Sequence, residues 1–69
     1  MKALSGKELA RILERKGWVL LRVHGSHHIY GKPASVVRLS VPIHGSKPLK
    51  VGLLKRLIKM AALEESDFE

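Results

Sequence analysis

The spacing of hydrophobic positions changes character along the chain, from helical to extended and back to helical. Leu9, Ile12 and Leu13 recur at helical spacing, with Lys7, Arg11, Arg15 and Lys16 at other positions around the turn. Ser5-Gly6-Lys7-Glu8 reads as a capping box, in which the Ser5 hydroxyl accepts from the Glu8 N–H and the Glu8 carboxylate accepts from the Ser5 N–H. Gly17 suits the left-handed residue that stops a helix. The first helix is predicted over 6–16.

Residues 18–24, Trp-Val-Leu-Leu-Arg-Val-His, are apolar and rich in β-formers, and predict a strand. Gly25-Ser26 is a turn signal, and His27-His28-Ile29-Tyr30 reads as the returning strand. Gly31-Lys32-Pro33 makes a second turn. Val36–Val41 predicts a third strand ended by Pro42, which cannot donate to a ladder. Such short connections imply an antiparallel meander. After a loop over 43–48, helical spacing returns over 49–62. Val51, Leu54, Ile58 and Ala61 form one stripe, widened by Leu53, Leu57 and Met60, with Lys50, Lys55, Arg56 and Lys59 on its flanks.

The predicted order is α-β-β-β-α. Two helices that must each bury an apolar stripe pack on one face of a three-stranded antiparallel sheet, giving a two-layer α+β fold. The whole chain, 1–69, reads as one domain, with 64–69 as an acidic tail whose Phe68 can fold back on the core. A domain of this size buries only about 60% of the surface that its unfolded chain exposes, so the core is thin.

Composition narrows the chemistry. Without cysteine there is no disulfide and no thiolate site, and a metal would have to rest on histidine and carboxylate. With neither a long apolar run nor a secretory-type start, a cytoplasmic location away from the membrane is the expectation. Residues 1–63 carry thirteen bases against two acids, Glu8 and Glu14, a net of +11, while the other four acids fall within 64–69. Charge of that size and sign points to a polyanion, nucleic acid above all.

Three of the four histidines, His24, His27 and His28, fall within five residues around the Gly25-Ser26 turn. Histidine is suited to moving protons near neutral pH. RNA cleavage needs a base for the ribose 2′-hydroxyl, an acid for the leaving 5′-oxygen and cations near the phosphate. Gly25 lets a phosphate approach the backbone, and Ser26 can hydrogen-bond it. The competing reading is a hairpin that simply carries polar strand residues. Zinc fits poorly, because adjacent strand residues such as His27 and His28 point to opposite faces. A Ser-His hydrolase lacks a third group, since the acids of the body lie on the first helix. Trp18 and Tyr30 suit the core better than base stacking. Arg22 and Arg38 on strands can bind phosphate or simply be solvated. So can Lys47 and Lys50, at the start of the second helix, where backbone N–H groups also favour anions.

Taken in order, Ser5-Gly6-Lys7-Glu8, Lys16-Gly17-Trp18, Gly25-Ser26-His27-His28-Ile29-Tyr30, Val41-Pro42-Ile43-His44 and Lys50-Val51-Gly52-Leu53-Leu54 with Ile58 resemble the HicA (YcfA-like) toxins of toxin-antitoxin systems. The resemblance runs over about residues 5–68. It implies a fold like the double-stranded RNA-binding domain, whose element order this chain shares. It implies a metal-independent endoribonuclease that cuts mRNA and needs no cofactor, and a HicB-type antitoxin that covers the active site. Carried onto this chain, it makes His27 the acid/base residue, with His28 as the second candidate. Gly25 and Ser26 complete the motif, and His44 can assist. Arg22, Lys47 and Lys50 join them as expected RNA contacts.

Two alternatives stay open in the sequence. A two-residue Gly25-Ser26 loop would set His24 opposite His27, whereas a three-residue loop would set it opposite His28. A non-catalytic RNA-binding module would use the same basic body without proton transfer.

Overall fold

The computed structural model describes residues 3–68. Helix α1 spans Gly6–Arg15, and its N-terminus is the expected capping box. The Glu8 N–H donates to Ser5 Oγ at 3.1 Å, and the Ser5 N–H donates to Glu8 Oε1 at 2.9 Å. At the other end Lys16 is the C-cap and Gly17 takes φ +95°. There the Trp18 N–H donates to the Leu13 carbonyl and the Gly17 N–H to that of Glu14, a Schellman ending one residue earlier than the sequence predicts. This ending turns Trp18 inward, so strand β1 begins at Val19 and runs to His24.

Strands β2 (His27–Gly31) and β3 (Leu39–Pro42) complete an antiparallel sheet of order β1-β2-β3. The third strand is shorter than the expected 36–41. Arg38 Nη1 donates to the carbonyls of Ser35 and Val37, the Val37 N–H donates to Ser35 Oγ, and Val36 stands 95% exposed. These local bonds hold the segment as a loop instead of a ladder.

Helix α2 covers Val51–Met60, inside the predicted 49–62. Leu49 is withheld from it because its N–H donates to the Leu4 carbonyl at 2.7 Å, beside an isolated bridge between Ser5 and Pro48. These contacts tie the starts of the two helices together. The helix ends with Ala62 at φ +54°, while the Leu63 N–H donates to the Ile58 carbonyl. Leu54, Leu57 and Ala61 are buried, and Leu53 and Ile58 pack partly against the core. Val51, placed in the stripe by spacing, is instead 62% exposed.

The core is one cluster drawn from both helices and from β2 and β3, with Leu9, Leu13, Leu39, Leu54 and Val41 fully buried in it. Trp18 and Tyr30 belong to it, as the sequence favours. The Trp18 Nε1 is buried with no hydrogen-bond partner among the described residues, and Lys32 Nζ lies 5.6 Å from its ring centroid. The helices cover β2 and β3 and stop short of β1, all six residues of which are exposed. Past α2, Glu65–Phe68 forms a 3₁₀ turn with Phe68 packed partly on the core. Asp67 there meets Lys16, the C-cap of α1, at 3.2 Å. Glu69 of the expected tail lies outside the described residues.

Candidate nucleic-acid interface and histidine site

The Gly25-Ser26 loop contains two residues, so His24 lies directly opposite His27 and the next pairs along are Val23 with His28 and Arg22 with Ile29. On the other side, His27 pairs with Pro42, His28 with Val41, Ile29 with Ser40 and Tyr30 with Leu39. Residues opposed across a sheet share a face. Val41, Leu39 and Tyr30 are buried under the helices, so His28, in line with them, faces the helix layer and is half-buried. His24, His27, Arg22, Ile29 and Ser40 occupy the open face.

One irregularity interrupts the ladder farther from the tip. Between Leu20 and Arg22 the β1 register slips, and Leu21 is the extra residue. A Cβ at Gly31 would lie 2.6 Å from Leu21 Cδ1, so the bulged leucine rests over a backbone position that only glycine leaves clear. Without the slip, Leu20 and Val19 would trade faces relative to the hairpin tip.

His27 is exposed, and its Nδ1 lies 3.3 Å from Ser40 Oγ. That contact steadies the ring through Nδ1 and leaves Nε2 without a protein partner among the described residues. Ser40 does not stand out in the sequence. Its signal was the alternation in β3, usable only once the register had set it diagonal to His27. The turn beside His27 is held in place, because the Ile43 N–H donates to the Ser26 carbonyl at 2.8 Å. Gly25 takes φ +57°, with nothing within 4 Å of where a Cβ would lie.

From Pro42, the partner of His27, a shallow groove continues along His44, Lys47 and Lys50 to Leu53. It reaches the N-terminus of α2, where Lys50 is the N-cap, no side chain caps the free N–H groups and no acid occupies the first turn. A polyanion there meets cationic side chains and oriented N–H groups together. Of the sequence-predicted residues, the structure therefore brings together Arg22, Gly25, Ser26 and His27 at the hairpin, with His44, Lys47 and Lys50 leading away from it. His28 lies on the other side of the sheet. Among the described residues no three His, Asp or Glu side chains gather in a metal-binding cluster.

Fold and face together define a small, basic α+β protein whose uncovered sheet surface carries histidines on a tight turn. The family model of the HicA toxin of bacterial toxin-antitoxin matches residues 6–63, most of the chain, and the protein belongs to that family. It is thus of the toxin class, whose systems pair it with an antitoxin. No curated protein sequence matches the chain. Among the described residues no helix is long and apolar enough to cross a membrane.

Proposed function

We propose that the protein is a metal-independent endoribonuclease that cuts mRNA in the cytoplasm, with His27 as its acid/base residue. The observation that carries this reading is the exposed His27 ring, anchored through Nδ1 to Ser40, with its strand partner Pro42 lining the basic groove. A phosphodiester lying over the turn would find Nε2 of His27, the Ser26 hydroxyl and the Arg22 guanidinium from one side. Lys47 and Lys50 would hold the strand as it leaves along the groove, with His44 beside it. General acid–base help of this kind is worth about 10²–10⁴-fold in rate. His28, half-buried between Val23 and Val41, supports the hairpin from the helix side. A HicB-type antitoxin would silence the enzyme by covering the open face, and the uncovered β1 edge gives it apolar surface to hold.

The test is cleavage of single-stranded RNA by purified protein in EDTA. The expected product carries a 2′,3′-cyclic phosphate or its opened form, and His27→Ala should abolish cutting. Full activity in a His27→Ala protein of normal stability refutes the assignment. Tight, salt-sensitive binding by the wild type with no cleavage at any concentration leaves an RNA-binding module instead.

A further inference from the structure

We propose that His24 is the second proton carrier of this reaction, the acid that protonates the leaving 5′-oxygen while His27 takes the proton of the 2′-hydroxyl. The proposal rests on the ribonuclease reading above and adds the group that reading lacks. A single imidazole can serve one oxygen of the phosphodiester at a time, and the two proton transfers fall on opposite sides of the phosphorus.

The hairpin supplies the second imidazole. His24 and His27 are the closing pair of a two-residue turn, directly opposed and on the same open face. Opposed Cβ atoms lie about 4.5–5.5 Å apart. Two rings so rooted can flank one phosphate, each within the roughly 2.6–3.2 Å that proton transfer needs. Their surroundings differ in a way that separates the roles. His27 is anchored through Nδ1 to Ser40, and with the proton on Nδ1 the other nitrogen, Nε2, is the acceptor. His24 is exposed and has no side-chain partner among the described residues, so its ring can follow the departing oxygen. Arg22, two residues along the same face, places a guanidinium where charge builds on the phosphate. His28 is on the opposite face. His44 lies beyond the end of β3, in the groove.

The step balances without a further reactant. His27 Nε2 accepts the 2′-hydroxyl proton as the 2′-oxygen bonds to phosphorus. The bond from phosphorus to the 5′-oxygen breaks, its electron pair stays on that oxygen, and the His24 imidazolium gives it a proton. The products are a 2′,3′-cyclic phosphate and a free 5′-hydroxyl, and exchange with water resets both rings.

Two substrates separate an acid from a binding residue. One is an RNA dinucleotide, whose 5′-alkoxide needs a proton to leave. The other is a nucleoside 3′-(4-nitrophenyl phosphate), whose phenolate leaves without one. His24→Ala should lower kcat/KM on the dinucleotide by about 10²–10⁴-fold and on the nitrophenyl ester by less than tenfold, with partial recovery on the dinucleotide when imidazole is added. His27→Ala should lose both substrates, and His44→Ala should weaken both alike. Wild-type cleavage of the dinucleotide by His24→Ala, equal losses on the two substrates, or the leaving-group pattern appearing in His44→Ala instead would overturn the assignment of His24. Each of those outcomes leaves the ribonuclease reading standing as long as His27→Ala is inactive. A wild-type protein that cuts neither these substrates nor single-stranded RNA refutes that reading, and this proposal with it. Because His24 is an exposed hairpin residue, a matching thermal midpoint will show that His24→Ala is folded.

Discussion

Adding one methyl group at Gly6 and at Gly52 should move stability in opposite directions, although both glycines lie in the first turn of a helix. Propensity alone favours alanine over glycine in a helix by about 0.5–1 kcal/mol. At Gly52 that gain stands unopposed, because a Cβ there meets nothing within 4 Å. Gly52→Ala should therefore stabilise by about 0.4–1 kcal/mol. At Gly6 the new Cβ would overlap the Pro42 carbonyl oxygen, lie 3.0 Å from the Pro42 carbonyl carbon and 3.1 Å from Ile43 Cγ1. Two of those three atoms are backbone and cannot rotate away, so α1 must lift from β3. Overpacking of this kind costs about 1–3 kcal/mol, and with a backbone oxygen in the way the upper part of that range, about 2–3 kcal/mol, applies, so the propensity gain leaves a net loss of about 1–2.5 kcal/mol. In a domain of this size each 1 kcal/mol moves the thermal midpoint by about 4–8 °C. Urea and thermal unfolding followed by circular dichroism would read both variants. The loss at Gly6 should also reach the site, because Pro42 is the strand partner of His27. A Gly6→Ala protein as stable as the wild type would refute the close approach of α1 to Pro42 and the reasoning built on it.

Ala62→Gly should stabilise by about 1 kcal/mol, because a left-handed alanine carries a penalty of roughly 1–2 kcal/mol that glycine avoids; its φ of +54° is the left-handed position closing α2, and an unchanged urea midpoint would refute this. The Asp67 carboxyl is held below the ordinary aspartate value of 3.8, first by the Glu64 N–H and then by Lys16. A carboxyl lowered by folding contributes stability above its unfolded value, and that contribution fades as pH falls through the folded one. The 3₁₀ turn should therefore loosen below about pH 4, and an Asp67 midpoint at or above 3.8, measured by NMR titration, would contradict it. Replacing Lys47 and Lys50 together should reduce the slope of log affinity for single-stranded RNA against log salt by about 1.4, at about 0.7 for each phosphate no longer neutralised. An unchanged slope would remove both lysines from the interface.

Much of the fold was readable from local chemistry. The capping box at Ser5 and Glu8 and the glycine stop at Gly17 each depend on a few adjacent residues, and both formed where the sequence placed them. Elements whose limits are set from afar were read less well. Val36 and Val37 have strand propensity, but the bonds of Ser35 and Arg38 take their backbone out of the ladder. Leu49 fits the helical period, but the carbonyl of Leu4, far away in sequence, claims its N–H. Val51 belongs to the apolar stripe by spacing and is left exposed by the packing, which spacing alone does not determine.

The histidines show the same division at the site. Their clustering around Gly25-Ser26 is a property of sequence. Which of them share a face is a property of register, where a slip of one residue exchanges the two sides of a strand. The two-residue turn sets one half of it and the packing of β2 the other. The turn opposes His24 to His27, and the bulge lets β1 keep that pairing while Leu20 still meets Tyr30. A glycine at 31 makes room for the bulged leucine, and the bulge sets the faces of Val19 and Leu20 beyond it, leaving the histidines at the tip as the turn pairs them. Which of His27 and His28 faces the open side follows from Tyr30, whose burial turns its own face of β2, His28 included, toward the helices, while the turn at Gly25-Ser26 brings His24 to His27.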